Sequence, residues 1–236
     1  MSATTQQKYK AVLFDLDGTI RTNQPEGLEA FIQFASQIGV PMTADQMAHL
    51  EREAHRYWAD GALVGEHMTR YDERGFWANY YAHLLSVAGI QDCDERGKRI
   101  QHLFEAEHDP DDLIYADAWP LLTKLRADGY VVGLVSNRDK PVDEYITSIG
   151  LRSFFDFTLV GGQVNSWKPD RLIFDEALKK AGVAAHEAVY VGDNYYADIL
   201  GAINAGMAAV LVDRRDVFEK DFDRRIHHLH ELVKWL

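Results

Sequence analysis

Five short, uninterrupted apolar runs set the fold class of this chain: Ala11 to Phe14, Val131 to Val135, Phe157 to Val160, Ala188 to Val191 and Ala208 to Val212. A strand with one wet face alternates polar and apolar residues, whereas continuous runs of this kind suit strands covered on both faces, as in a parallel sheet. From residue 120 onward the runs alternate with segments of helical character, Leu121 to Ala127, Pro141 to Ile149, Arg171 to Ala181 and Tyr196 to Asn204. That alternation predicts an α/β fold, a doubly wound parallel sheet with helices on both faces.

Between the first and second runs lie about a hundred residues, where a crossover needs only about a dozen. Four helical stretches fill the interval: Glu26 to Ile38, Ala44 to Ala59, Glu66 to Val87 and Asp94 to Glu107, with Gly75 a candidate break in the third. The expectation is a sheet domain of residues 1–22 and 112–236 with an α-helical domain, residues 23–111, inserted into it.

The bulk numbers narrow the partners. A formal net charge of -12 over 236 residues opposes general binding to nucleic acid or to an anionic membrane, both of which need a basic surface. A small phosphorylated ligand is compatible, because a local metal and a few donors suffice to hold it. Cys93 is the single cysteine, so no intrachain disulfide can form and a reducing cytosol is the natural compartment. The start, Met1 to Lys8, has no apolar leader core, and no stretch reaches the roughly 18 apolar residues of a membrane span. A soluble, cytoplasmic protein is expected; nothing in the composition sets an oligomeric state.

Chemistry concentrates where the apolar runs end. The first passes into Asp15-Leu16-Asp17-Gly18-Thr19, which places two carboxylates two positions apart. On an extended segment both point the same way, and two such anions need a cation or a shared proton between them. A divalent metal with oxygen ligands answers that need, while plain turn formation by Asp and Gly is the alternative. The second run passes into Ser136-Asn137, the fourth into Gly192-Asp193-Asn194, and Lys168 follows the third after Gly161-Gly162. Carboxyl ends of strands form the ligand crevice of an open α/β sheet. Asp139 and Pro141 suit the cap and first turn of the helix after Asn137.

In these residues the chain resembles the haloacid dehalogenase superfamily. Asp15-Leu16-Asp17-Gly18-Thr19, Ser136-Asn137, Lys168-Pro169 and Gly192-Asp193-Asn194-Tyr195-Tyr196-Ala197-Asp198 occur in the order of the family's four motifs. The helical insertion is similar to the family's cap at its first insertion point, as in the branch that resembles phosphoglycolate phosphatases. The resemblance implies a Rossmann-like core and a Mg²⁺-dependent phosphatase acting on a small phosphorylated metabolite. It implies that Asp15 is the nucleophile that forms an aspartyl phosphate and that Asp17 is the general acid and base. The Asp15 carboxylate, the Asp17 backbone carbonyl and the Asp193 carboxylate would hold Mg²⁺. Ser136, Asn137 and Lys168 would bind the phosphoryl group, with Asp198 ordering a metal-bound water or pairing with Lys168.

Asp17 favours phosphate esters over carbon-halogen or phosphonate chemistry within the superfamily. A sugar-phosphate mutase shares all four motifs and is the alternative enzyme. A phosphoacceptor signalling module is the alternative class, although its phosphorylated aspartate follows the third strand in a chain about half this length. The segment Ile20-Arg21-Thr22-Asn23 departs from the aspartate and serine of many relatives, and Arg21 reads as a surface arginine. Trp58, Trp77, Tyr80 and Tyr81 read as core rather than as a pocket. His67, Arg70 and Arg74 read as solvent-facing, and His227, His228 and His230 as surface residues on a final helix rather than metal ligands.

Overall fold

The computed structural model describes residues 8–218 and 221–236, so the leader reading, which rests on residues 1–7, lies outside the described residues. The chain divides into two units, Met1–Arg21 with Ile114–Leu236, and Thr22–Leu113.

The first unit is built on β1 (Ala11–Phe14); β2 (Arg21–Gln24) and β3 (Asp111–Ile114), which lie at the unit boundaries and mostly in the second unit, pair with each other in a separate two-stranded sheet. The main sheet continues with β4 (Val131–Ser136), β5 (Phe157–Val160), β6 (Ala188–Gly192), β7 (Ala208–Val212) and β8 (Arg225–Ile226), in the order β5-β4-β1-β6-β7-β8 with every pairing parallel. Alternate side chains feed two cores. Val12, Phe14, Val132, Leu134, Val189 and Val191 pack in one cluster with Leu121, Leu122 and Leu125, while Leu13, Val135 and Tyr190 pack in the other with Ile173, Phe174 and Ala177. This two-sided burial is why these strands read as unbroken apolar runs.

The register places the chemistry. Phe14 lies beside Leu134 of β4 and Val191 of β6, so the ends of β1, β4 and β6 release Asp15, Ser136 and Asp193 at one edge of the sheet. That edge is where the chain order reverses direction from β1, the position at which such sheets bind ligands.

The helices of the second unit are α1 (Gly27–Gln37), α2 (Ala44–Ala59), α3 (Gly61–Arg70), α4 (Glu73–Val87) and α5 (Cys93–Glu107), gathered on a core that includes Phe31, Leu50, Tyr57, Leu84 and Leu85. The expected single helix from Glu66 to Val87 is two. Asp72 makes the break, its Oδ1 accepting from the Gly75 amide at 2.8 Å as the N-cap of α4, so Gly75 begins a helix instead of interrupting one.

In the first unit α6 (Ala118–Ala127), α7 (Asp143–Ser148), α8 (Gly161–Val164), α9 (Arg171–Ala181) and α10 (Leu200–Asn204) complete the helices, with a π-helical turn over Tyr195–Ile199 leading into α10. Val142, not Asp139, precedes α7, and Asp139 instead accepts from the Trp167 indole at 3.1 Å. The expected final helix is also absent: β8 is followed by a 3₁₀ turn over Leu229–Trp235, and His227 sits before that turn with its ring 2.7 Å from Asp216. Among the described residues no helix is long and apolar enough to cross a membrane.

Candidate active site

Asp15 and Lys168 form the centre of the site. Lys168 Nζ donates to Asp15 Oδ1 at 2.5 Å, to Asp198 Oδ1 at 2.7 Å and to the Tyr190 hydroxyl at 3.1 Å, with both Asp15 and Lys168 buried. Burial alone would strip the charge from this lysine, but the Asp15 and Asp198 carboxylates outweigh it and hold the ammonium well above its ordinary range. The Tyr190 hydroxyl donates onward to the Val135 carbonyl oxygen at 2.9 Å, tying the ammonium to the sheet.

The side chain that delivers Lys168 is Asn137. Its Nδ2 donates to the Lys168 carbonyl oxygen at 2.9 Å and its Oδ1 accepts from the Lys168 amide at 2.7 Å. Both amide groups are thus committed to the backbone of the lysine loop, and Asn137 positions Lys168. Ser136, 2% exposed at the end of β4, accepts from the Arg138 amide at 3.3 Å and keeps its hydroxyl proton available.

Asp193 and Asp198 complete an acidic cluster. Each of Asp15, Asp193 and Asp198 presents a carboxylate oxygen, and these oxygens lie within 4.8 Å of one another. Thr19 Oγ1 donates to Asp193 Oδ1 at 3.0 Å, and the Asn194 amide donates to Asp198 Oδ2 at 3.0 Å. Two glycines make the crowding possible. Gly18 has φ +86° and a Cβ on it would run into the Asp193 carboxylate, while a Cβ on Gly192 would meet the Asp198 carboxylate.

Three carboxylates against one ammonium leave the site short of positive charge. Burial, with Asp198 and Asp17 adding to it and Lys168 opposing, lifts the Asp15 carboxyl to about 7. Burial, together with Asp15 and Asp198, likewise raises Asp193 well above the carboxylate range. A compact set of hard oxygen donors, in which burial and neighbouring carboxylates suppress the ionisation of Asp15 and Asp193, fits a divalent cation.

Asp17 has a different environment. Its Oδ1 accepts from Arg21 Nη1 at 2.7 Å and from Arg138 Nη2 at 2.7 Å, and its Oδ2 accepts from Arg138 Nε at 2.9 Å. Although burial acts to raise it, the hydrogen bonds and charges of Arg138 and Arg21 hold this carboxyl below the usual range. Arg21 is therefore not a surface residue: it is only 7% exposed. The sequence reading missed Arg138, Tyr190 and Thr19 as well. Arg138 directly follows Ser136-Asn137 and Thr19 closes the first motif, so adjacency was the available signal; Tyr190 lies in mid-strand and carried none.

The other polar candidates lie in the helical unit. The His67 ring Nδ1 is 3.0 Å from the Tyr57 hydroxyl and 3.1 Å from the Asn79 amide nitrogen, and Arg74 pairs with Gln101 at 3.1 Å and Glu105 at 2.9 Å. Trp58, Trp77, Tyr80 and Tyr81 belong to or pack against the helical core, as expected, and also line a cavity there.

Residues 9–206 match the family model of haloacid dehalogenase-like hydrolases. The chain belongs to that family. It is 37% identical over 209 residues to the glyceraldehyde 3-phosphate phosphatase of Methanopyrus kandleri, a match covering 87% of this chain and 84% of the relative. It is 30% identical over 224 residues to the phosphoserine phosphatase of Thermus thermophilus, covering 87% and 89% respectively. Among solved structures, a HAD phosphatase from Thermococcus onnurineus superimposes with a TM-score of 0.55 at 27% identity, covering 96% of this chain and 97% of that one. Within the family this haloacid dehalogenase-like hydrolase is a phosphatase, a phosphoric monoester hydrolase.

Proposed function

We propose that this phosphatase hydrolyses a small phosphorylated metabolite through an aspartyl phosphate on Asp15, with Mg²⁺ as its cation. The observation that carries this reading is the Lys168 ammonium held 2.5 Å from the Asp15 carboxylate, at the end of the central strand beside Ser136 and the acidic cluster. An Asp15 oxygen attacks phosphorus, and the ester oxygen leaves with a proton from Asp17. Water then attacks the phosphorus of the aspartyl phosphate and gives a proton to Asp17. The bond from the Asp15 oxygen to phosphorus breaks, and inorganic phosphate and the Asp15 carboxylate are restored.

Ser136 and Lys168 supply donors to the phosphoryl oxygens, and Asn137 fixes the lysine loop. Asp15, Asp193 and Asp198, with the Asp17 backbone carbonyl, are the residues that would hold Mg²⁺. Bound there it would neutralise the carboxylates and the phosphoryl charge. Arg21 and Arg138 hold Asp17 as an anion in this structure, the form that accepts the proton of the attacking water; Asp17 carries that proton to the next leaving oxygen only once these arginine contacts open. The relatives with named substrates, glyceraldehyde 3-phosphate and phosphoserine, support a small phosphorylated metabolite as the substrate class. The sheet unit is read as the catalytic core and the helical unit as its cap.

Turnover of a panel of phosphorylated metabolites and an aryl phosphate, measured with Mg²⁺, in excess chelator and after Mg²⁺ is restored, tests the proposal. Activity should vanish with chelation and return with Mg²⁺, with Ca²⁺ a poor substitute because its looser shell misplaces the reacting atoms. Full turnover in chelator would contradict it.

A further inference from the structure

The helical unit holds a cavity of about 530 Å³ that the phosphatase reading does not use. Its walls are aromatic: Phe31 from α1, Trp58 from α2, Trp77, Tyr80 and Tyr81 from α4, and Phe104 from α5. Trp77 stacks on Tyr81 at 6.1 Å between centroids, Tyr81 stacks on Phe104 at 4.5 Å, and Trp58 leans against Trp77 at 5.8 Å. Rings that served only as core would be covered, yet Trp58, Trp77 and Phe104 keep part of their surface open.

Two further observations point to the charge of a ligand. None of the fourteen lining residues is a lysine or arginine, and the one carboxylate among them is Glu105, which Arg74 meets at 2.9 Å. The unit as a whole, residues 22–113, has seventeen acidic residues against seven lysines and arginines. Such a field repels anions, and open ring faces attract cations through their quadrupoles.

We propose that this cavity binds a small organic cation, an ammonium-bearing molecule seated against the uncovered parts of Trp58 and Trp77, beside the Glu105–Arg74 pair.

The test uses the intact protein, labelled with ¹⁵N, and a matched pair of probes: choline and its neutral isostere 3,3-dimethylbutan-1-ol. The five tryptophans are their own control, since Trp58 and Trp77 line the cavity and Trp119, Trp167 and Trp235 belong to the other unit. Choline should shift the indole signals of Trp58 and Trp77 saturably and leave the other three in place, and the alcohol should bind at least about tenfold more weakly. Trp77→Leu should weaken choline binding by a similar factor while the signals of Trp119, Trp167 and Trp235 report an intact sheet unit. Glu105→Gln, which leaves the aromatic walls whole, should weaken it by about threefold. Equal binding of the alcohol, shifts confined to the other tryptophans, or no shift at saturating choline would overturn the proposal.

This binding measurement does not depend on the phosphatase reading.

Discussion

Arg138 grips both oxygens of Asp17, Nε meeting Oδ2 at 2.9 Å and Nη2 meeting Oδ1 at 2.7 Å. A two-point contact of this kind fixes the direction of a carboxylate as well as its charge. In the proposed mechanism Asp17 reaches the leaving oxygen in the first step and the attacking water in the second, so its aim would be set from the residue that follows the Ser136-Asn137 loop.

Arg138→Lys keeps the charge and loses the fork. Since general acid catalysis contributes roughly 10²–10⁴-fold, the variant should lose about tenfold or more in kcat/KM on an alkyl phosphate, whose leaving oxygen needs a proton. On an aryl phosphate, whose leaving group departs unaided, the loss should stay within about threefold. Steady-state kinetics on the two esters decide the matter, and an equal loss on both would show that Arg138 does not act through Asp17.

The raised carboxyl of Asp15 predicts an unusual stability profile. Burial lifts it to about 7, against about 3.8 for an ordinary aspartate, so between those values the folded chain binds a proton that the unfolded chain releases. Its contribution to stability is therefore full below about pH 4 and falls as pH rises to about 7. Asp15→Asn removes the titration. In chelator, the melting temperature of the wild type minus that of Asp15→Asn should decline steadily across this window, leaving the variant the more stable protein at neutral pH. Parallel melting curves from pH 4 to pH 7 would contradict the assignment.

Tyr190 offers a test of the lysine's support. Its fully buried hydroxyl accepts from Lys168 and donates to the Val135 carbonyl oxygen. Tyr190→Phe removes both bonds without opening a cavity, which should cost about 1–3 kcal/mol of stability, since a buried group is left unsatisfied. Turnover should fall with it as the Lys168 ammonium loses its anchor to the sheet. Denaturant unfolding together with kcat measures both effects; unchanged values for the two would remove Tyr190 from the site.

How much of this was legible depended on whether a residue's neighbours lie close in sequence. Five of the six strands of the main sheet were readable because two-sided burial leaves an unbroken apolar run, and β8, with only two residues, was too short to leave one. The split between α3 and α4 turned on a single cap at Asp72, which a hydrophobic pattern does not register. The acidic residues and Lys168 stood out because each follows a strand. Arg21 looked like a surface arginine because its partner is decided by the turn at Gly18, which brings the chain back so that Asp17 and Arg21 meet. Tyr190 was indistinguishable from any apolar strand residue until the fold placed Lys168 beneath it.

The central claim is that the phosphoryl group passes through Asp15, and direct trapping tests it. In Asp17→Asn an aryl phosphate can still transfer its phosphoryl group, because that leaving group needs no acid, whereas release of the group to water is slowed by loss of the base. Acid quenching during turnover with Mg²⁺, followed by tryptic digestion and mass spectrometry, should find one phosphoryl group on the peptide spanning residues 11–21, and borohydride reduction should convert Asp15 to homoserine. Turnover with that peptide never modified, or with the phosphoryl group on any other residue, would contradict the account.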